Sequence, residues 1–92
     1  MRVISQNGTI DVPYEMSAIR NDDGLIILCM AGETGKGSVI ARYSTSEKAE
    51  NAMEMLREKY TDYAKATNKS NFFTMFDYPK VFQFPQDEDV EV

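Results

Sequence analysis

The most regular hydrophobic pattern in the chain runs from Ser44 to Ala66 and predicts one amphipathic α-helix. Apolar residues recur there at intervals of three and four, which places them on one helix face. These residues are Ala49, Ala52, Met53, Leu56, Tyr60, Tyr63 and Ala64. Ser44 and Glu47 have the spacing of a capping box, in which each side chain accepts a hydrogen bond from the other residue's backbone N–H. We therefore expect a helix that begins at Ser44 and packs its apolar face on a sheet.

A β-hairpin is predicted at the start of the chain, over residues 2–12. Its turn is Asn7-Gly8, a pair that favours tight hairpin turns because both residues tolerate positive φ angles. The turn sets Val3 opposite Val12, with both side chains on one side of the hairpin. Pro13 has no backbone N–H, so it either ends this ladder or confines it to the edge of a sheet.

Three further strands are predicted before the helix, at Met16–Arg20, Leu25–Ala31 and Ser38–Tyr43. Leu25–Ala31 is apolar without interruption, which is typical of a strand buried on both faces, so it is predicted to be the central strand. Strict alternation in the last of the three places Val39 on one face and Ile40 on the other.

The segment after the helix contains every phenylalanine of the chain. The aromatic residues there are Phe72, Phe73, Phe76, Tyr78, Phe82 and Phe84. One helix covers only one face of the sheet, so one hypothesis packs this segment on the second face or against the helix flank. The other hypothesis makes these aromatics an interface with a second copy or a partner protein, because large exposed apolar patches mark binding sites. The sequence leaves both open.

These elements predict an α+β fold. It is an antiparallel β-meander of about five strands packed against one long amphipathic helix, with an aromatic-rich C-terminal segment. Residues 1–85 are predicted to form a single domain, since 92 residues leave no room for two cores. Residues 86–92 are predicted to form an acidic, disordered tail.

Charge and composition exclude several classes of partner. The net charge is −5, but four of the fifteen acidic residues lie in the last six positions, so the remaining chain is close to neutral. A near-neutral body with an acidic tail is a poor partner for nucleic-acid phosphates or an anionic membrane surface. The longest apolar run, Leu25–Ala31, is far shorter than the roughly 20 residues that span a bilayer. We therefore expect no membrane association.

The residues offer little for catalysis. The chain has no histidine, the commonest general base and metal ligand, and its only cysteine, Cys29, lies within an apolar run. The glycine-rich stretch Gly32–Ser38 lacks the spacing of a phosphate-binding loop, and a strand rather than a helix follows it. We therefore predict no enzyme, no cofactor and no metal site.

Three blocks of sequence resemble a known family. They are residues 2–15 (RVISQNGTIDVPYE), 40–57 (IARYSTSEKAENAMEMLR) and 82–91 (FQFPQDEDVE). Together they resemble a family of small uncharacterised proteins encoded by bacteriophages and prophages of Gram-positive bacteria. The resemblance implies expression in the cytoplasm of a bacterial host, and it carries over no catalytic or binding residue.

The function predicted from these observations is that of a non-enzymatic phage accessory protein that acts through protein–protein contact. Its partner is an unidentified protein or a second copy of the chain. The predicted contact surfaces are the aromatic segment between Phe72 and Phe84 and any sheet edge left unpaired beside Pro13. The alternative is a nucleic-acid-binding module that uses the same aromatics together with Lys69 and Lys80.

Overall fold

A computed structural model of the chain describes residues 1–32, 35, 37–68 and 81–91. The strands and the helix in these ranges are β1 (Arg2–Ile4), β2 (Asp11–Pro13), β3 (Ser17–Asp22), β4 (Leu25–Met30), β5 (Ser38–Arg42), α1 (Ser46–Asn68) and β6 (Val81–Gln83). Short 3-10 turns cover Tyr14–Met16 and Asp87–Asp89. The fold is α+β, as predicted. The strands described form two three-stranded sheets, however, rather than one meander of about five.

The first sheet has the strand order β2-β1-β6. Its hairpin has the predicted register, with Val3 opposite Val12. The turn itself differs from the predicted two-residue turn at Asn7-Gly8. The Gly8 N–H donates to the Ser5 carbonyl at 2.9 Å, so Gln6 and Asn7 are the central residues, and of the predicted pair only Gly8 has a positive φ, of +79°. Strand β6 then pairs with β1 in parallel and sets Phe82 beside Val3. This parallel pairing, which joins the two ends of the chain, is the feature that the meander prediction lacked.

The second sheet has the order β3-β4-β5 and is antiparallel throughout. The prediction that the apolar run forms a central strand is confirmed, since β4 lies between the other two. The alternation predicted for β5 is wrong, because the register shifts between Ile26 and Ile27 of β4. This bulge turns both Ile40 and Ala41 into the core and leaves Val39 40% exposed.

Helix α1 begins two residues later than predicted, and Thr45 caps it. The Thr45 hydroxyl accepts from the Lys48 backbone N–H at 3.1 Å, which is the geometry of an N-cap residue. The predicted capping box of Ser44 and Glu47 is therefore wrong. Ser44 is occupied elsewhere, because its N–H and its hydroxyl both donate to Oδ1 of Asp87, at 2.7 and 3.1 Å.

The helix packs its predicted apolar face on the second sheet, and one core joins both sheets to it. Ala49, Ala52, Met53 and Leu56 are buried, and Tyr60 and Tyr63 are partly buried against them. Burial of a side chain such as Leu56 stabilises the fold by about 1.5–3 kcal/mol.

Residues 86–91 of the acidic stretch, for which the sequence predicted a disordered tail, include a 3-10 turn at Asp87–Asp89 and contact the core. Val90 is only 4% exposed and belongs to the core. Lys48 donates through Nζ to the Asp87 carbonyl at 3.1 Å, and Asn51 donates through Nδ2 to the Glu91 carbonyl at 2.6 Å. An apolar anchor and these side-chain bonds hold the stretch along one flank of α1.

A glycine between β4 and β5 is required by close packing. Gly37 has a φ of +84°, and a Cβ at this position would lie 2.5 Å from the Leu28 carbonyl oxygen and 2.7 Å from Cys29 Sγ. Both the left-handed backbone and the contact with β4 exclude a side chain here. Gly35, in the same connection, has open space around the position of a Cβ.

Candidate functional site

The structure describes two of the predicted contact residues, and it places both in the core. Phe82 is 5% exposed and Phe84 is 1% exposed. Their rings meet edge to face with centroids 5.2 Å apart, a favourable arrangement for aromatic pairs. Phe72, Phe73, Phe76 and Tyr78 lie outside the described residues, as do Lys69 and Lys80.

The two three-stranded sheets of the described residues have four outer strands, and those of the first sheet are short. Strand β2 covers three residues and ends at Pro13, so Pro13 lies on an edge strand, in agreement with one of the two predicted outcomes. Pro13 presents no N–H to an incoming strand. Strand β6 also covers only three residues. Neither edge offers a long row of backbone donors and acceptors.

The outer edge of β5 is closed by the side chain of Gln6. The Arg42 N–H donates to Gln6 Oε1 at 3.0 Å, and Gln6 Nε2 donates to the Arg42 carbonyl at 3.2 Å. The Gln6 backbone N–H donates to the Ile40 carbonyl at 2.8 Å. The side-chain amide thus takes the place of a peptide unit and occupies the backbone groups that a further strand would need.

Strand β3 is the remaining edge, and it is six residues long. Its two-residue turn to β4, Asp23-Gly24, has φ angles of +50° and +95°, so Asp22 and Leu25 form a hydrogen-bonded pair next to the turn. The Ala31 N–H donates to the Met16 carbonyl at 2.8 Å and continues this alternation at the other end. Even-numbered residues of β3 therefore direct their backbone groups toward β4.

Odd-numbered residues of β3 direct their backbone groups away from the sheet. The Ser17 N–H donates to the Tyr14 carbonyl, which satisfies it within the 3-10 turn. The N–H and C=O of Ile19 and Asn21 and the Ser17 C=O remain on the outer edge. Within residues 1–32, 35, 37–68 and 81–91, no strand pairs with this edge.

One flank of α1 borders the β3 edge. Asn21 donates through Nδ2 to the Ser46 carbonyl and to Glu50 Oε2, both at 3.3 Å, which fixes this flank beside the strand. Arg57 Nη1 in turn donates to Glu50 at 3.1 Å and to Glu54 at 3.0 Å. Hydrogen bonds from Asn21 and then Arg57 lower the pKa of Glu50. The border is a stripe of both charge signs.

The face of β3 away from the helix is exposed. Ala18, Arg20 and Asp22 alternate on it, whereas Ser17, Ile19 and Asn21 are partly buried on the helix side. Arg20 Nη1 lies 4.0 Å from Cys29 Sγ on the neighbouring strand. A strand added to the edge would therefore meet polar side chains on one face and the helix flank on the other.

Other sites in the described part of the chain offer less. A shallow pocket of about 130 Å³ lies between the hairpin turn at Gln6-Asn7 and residues 39–42. No group of three or more metal-ligating side chains occurs among the residues described. Nor does that part of the chain contain a helix with the length and apolar content needed to cross a membrane.

Comparisons of the chain with protein-family models, with characterised proteins and with solved structures found no match of any kind.

The β3 edge was not among the surfaces singled out from the sequence, although the strand itself was predicted at Met16–Arg20. Its sequence signal is the alternation Ser-Ala-Ile-Arg-Asn-Asp before an Asp-Gly turn. That pattern indicates a hairpin strand, but only the strand order of the folded sheet shows that it lies at an edge.

Proposed function

We propose that this chain is a non-enzymatic protein-binding domain whose partner adds an extended segment to the outer edge of β3. The observation that carries the proposal is the contrast between the four outer strands. β2 and β6 are short and Gln6 closes β5, whereas β3 offers a six-residue edge. Strand addition of this kind is a recurrent mode of peptide recognition, in which backbone hydrogen bonds supply affinity.

The outward groups of β3 allow a rough estimate of affinity. Five groups are available, namely the C=O of Ser17 and both backbone groups of Ile19 and Asn21. A net contribution of about 1 kcal/mol for each hydrogen bond gives about 5 kcal/mol. The costs of association reduce this figure, so the partner must also make side-chain contacts, and the flank of α1 is the surface placed to receive them.

The charges beside the edge indicate what those contacts are. The flank of α1 that borders the edge carries Glu50, Glu54 and Arg57. The turn end of the strand carries Asp22 and Asp23. An extended segment with no acidic residue opposite Asp22, carried by a surface with both charge signs beside the helix flank, matches this arrangement, since opposite charges across strands are favourable and like charges are not.

The remaining parts of the proposal come from the sequence. The non-enzymatic assignment rests on the lack of histidine and on the dispersed carboxylates. The assignment as a phage accessory protein, expressed in the cytoplasm of a bacterial host, rests on the resemblance of the three sequence blocks.

Selection from a library of short random peptides, with the intact chain as bait, tests the proposal. Bound peptides are mapped by the shifts of backbone amide resonances in the labelled chain. We expect the largest shifts at Ile19 and Asn21, whose N–H groups point outward, and smaller ones at Ala18 and Arg20. Peptides that map to the hairpin turn or to α1 alone, or a selection without binders, contradict the proposal.

A further inference from the structure

We infer that the segment added to the edge of β3 is β3 of a second copy of this chain, paired antiparallel about a two-fold axis at Ile19. This inference rests on the proposed function, because it names the partner of the same edge. It turns two three-stranded sheets into one continuous six-stranded sheet with both helices on one face.

The backbone of β3 is self-complementary in this register. Ile19 faces Ile19 of the second copy, and the two residues exchange two hydrogen bonds, since both of their backbone groups point outward. The Ser17 C=O accepts from the Asn21 N–H of the second copy, and the symmetry repeats this bond. The Ser17 N–H is not needed, because it already donates to Tyr14.

Charge complementarity along the helix flank supports a second copy as the occupant. Along α1 the flank runs from Glu50 through Glu54 to Arg57, whose guanidinium bonds both carboxylates within its own chain. A two-fold axis reverses the direction of the stripe, so the basic end of one flank approaches the acidic end of the other. An isologous interface requires this kind of self-complementary surface.

The same register places Ala18 opposite Arg20 of the second copy, on the exposed face of the sheet. Ala18 is exposed, and its own backbone groups face β4, so a longer side chain there leaves the ladder intact. A charge at position 18 faces a guanidinium twice in each dimer. The register therefore predicts effects of opposite sign for the two charges at this single position.

The test compares the intact chain with Ala18→Lys and Ala18→Glu by sedimentation equilibrium, from low micromolar to near-millimolar concentration. We expect a weak monomer–dimer equilibrium. Ala18→Lys should raise the dimer Kd roughly tenfold and Ala18→Glu should lower it by a similar factor, because each pair occurs twice. Lys and Glu are both weak strand formers, so they serve as matched controls, and thermal melts confirm that each variant is folded.

Two results overturn the inference. One is that the parent chain and the Ala18→Glu variant are both monomeric at every concentration. The other is a dimer whose Kd does not respond in opposite directions to the two substitutions. Neither result removes the proposed function if selected peptides still shift Ile19 and Asn21, whereas loss of those shifts removes both.

Discussion

Gln6 is expected to stabilise the fold more than a surface glutamine usually does, because its side-chain amide joins the hairpin turn to β5 and to the C-terminal stretch. The amide makes three hydrogen bonds: it accepts from the Arg42 N–H at 3.0 Å, and it donates to the carbonyls of Arg42 at 3.2 Å and Pro85 at 3.0 Å. Each hydrogen bond contributes about 0.5–1.5 kcal/mol to stability, and bonds near the surface contribute toward the lower end of this range. Gln6→Ala should therefore lower the free energy of unfolding by about 1.5–3 kcal/mol.

Urea unfolding at equilibrium measures this loss, with two matched variants. Gln86→Ala removes one hydrogen bond, from Gln86 Nε2 to the Gln6 carbonyl, and should cost about a third as much. Gln6→Glu keeps an acceptor for the Arg42 N–H but sets a carboxylate against two carbonyl oxygens, so it should destabilise the fold at neutral pH at least as much as alanine. A Gln6→Ala variant within about 0.5 kcal/mol of the parent chain, the usual range for surface substitutions, would refute the reasoning.

Three further perturbations test other parts of the structure. Gly37→Ala should destabilise the fold by about 2–4 kcal/mol, because a side chain there strains a left-handed backbone and overpacks against β4. Gly35→Ala should be nearly neutral. Equal urea midpoints for the two variants would contradict this steric explanation. Val90→Ala should lower the melting temperature by several degrees, because it leaves a cavity in the core, and an unchanged melting curve would mean that the C-terminal stretch does not pack there. The hydrogen bond from the Ser44 N–H, together with Lys48, lowers the pKa of Asp87 in the folded chain. The ionised carboxylate therefore stabilises the fold at pH values above the unfolded-state pKa of Asp87. This stabilisation is lost as the pH falls through the folded-state pKa. Asp87→Asn should therefore flatten the acid side of the stability profile, and a profile parallel to that of the parent chain would exclude the contribution.

Patterns carried by neighbouring residues predicted much of the fold. The Asn7-Gly8 pair predicted the hairpin register correctly, although not the turn itself, and the uninterrupted apolar run predicted that β4 is central. Regular spacing likewise identified the buried face of α1, including Ala52 and Leu56. In each case the decisive interaction lies within one element or between two strands joined by a tight turn.

Features that depend on distant residues were not predictable in this way. Phe82 pairs in parallel beside Val3, and no local pattern indicates which strand lies next to β1. Ser44, Thr45 and Ser46 all have hydroxyls suited to capping, and the choice of Thr45 follows from the bond between Ser44 and Asp87. The acidic residues 86–91 predict a solvated tail, and no local pattern indicates that Val90 reaches the core.

The candidate edge has the same dependence on tertiary structure. Whether a strand lies at an edge is decided by the order of strands in the sheet, and whether the edge is closed is decided by a side chain such as Gln6 from another part of the chain. The predicted surface beside Pro13 is a short edge, and two of the predicted contact aromatics, Phe82 and Phe84, are core residues.

Hydrogen exchange at single backbone amides tests the central claim, that the strands in the described part of the chain leave the outer edge of β3 unpaired. The measurement uses a concentration at which sedimentation shows only monomer. We predict that the amides of Ile19 and Asn21 exchange at rates close to those of an unfolded peptide, whereas Ala18 and Arg20, which face β4, exchange slowly. Protection of Ile19 and Asn21 equal to that of Ala18 and Arg20 would show that the edge is already covered, and would contradict both the proposed function and the dimer.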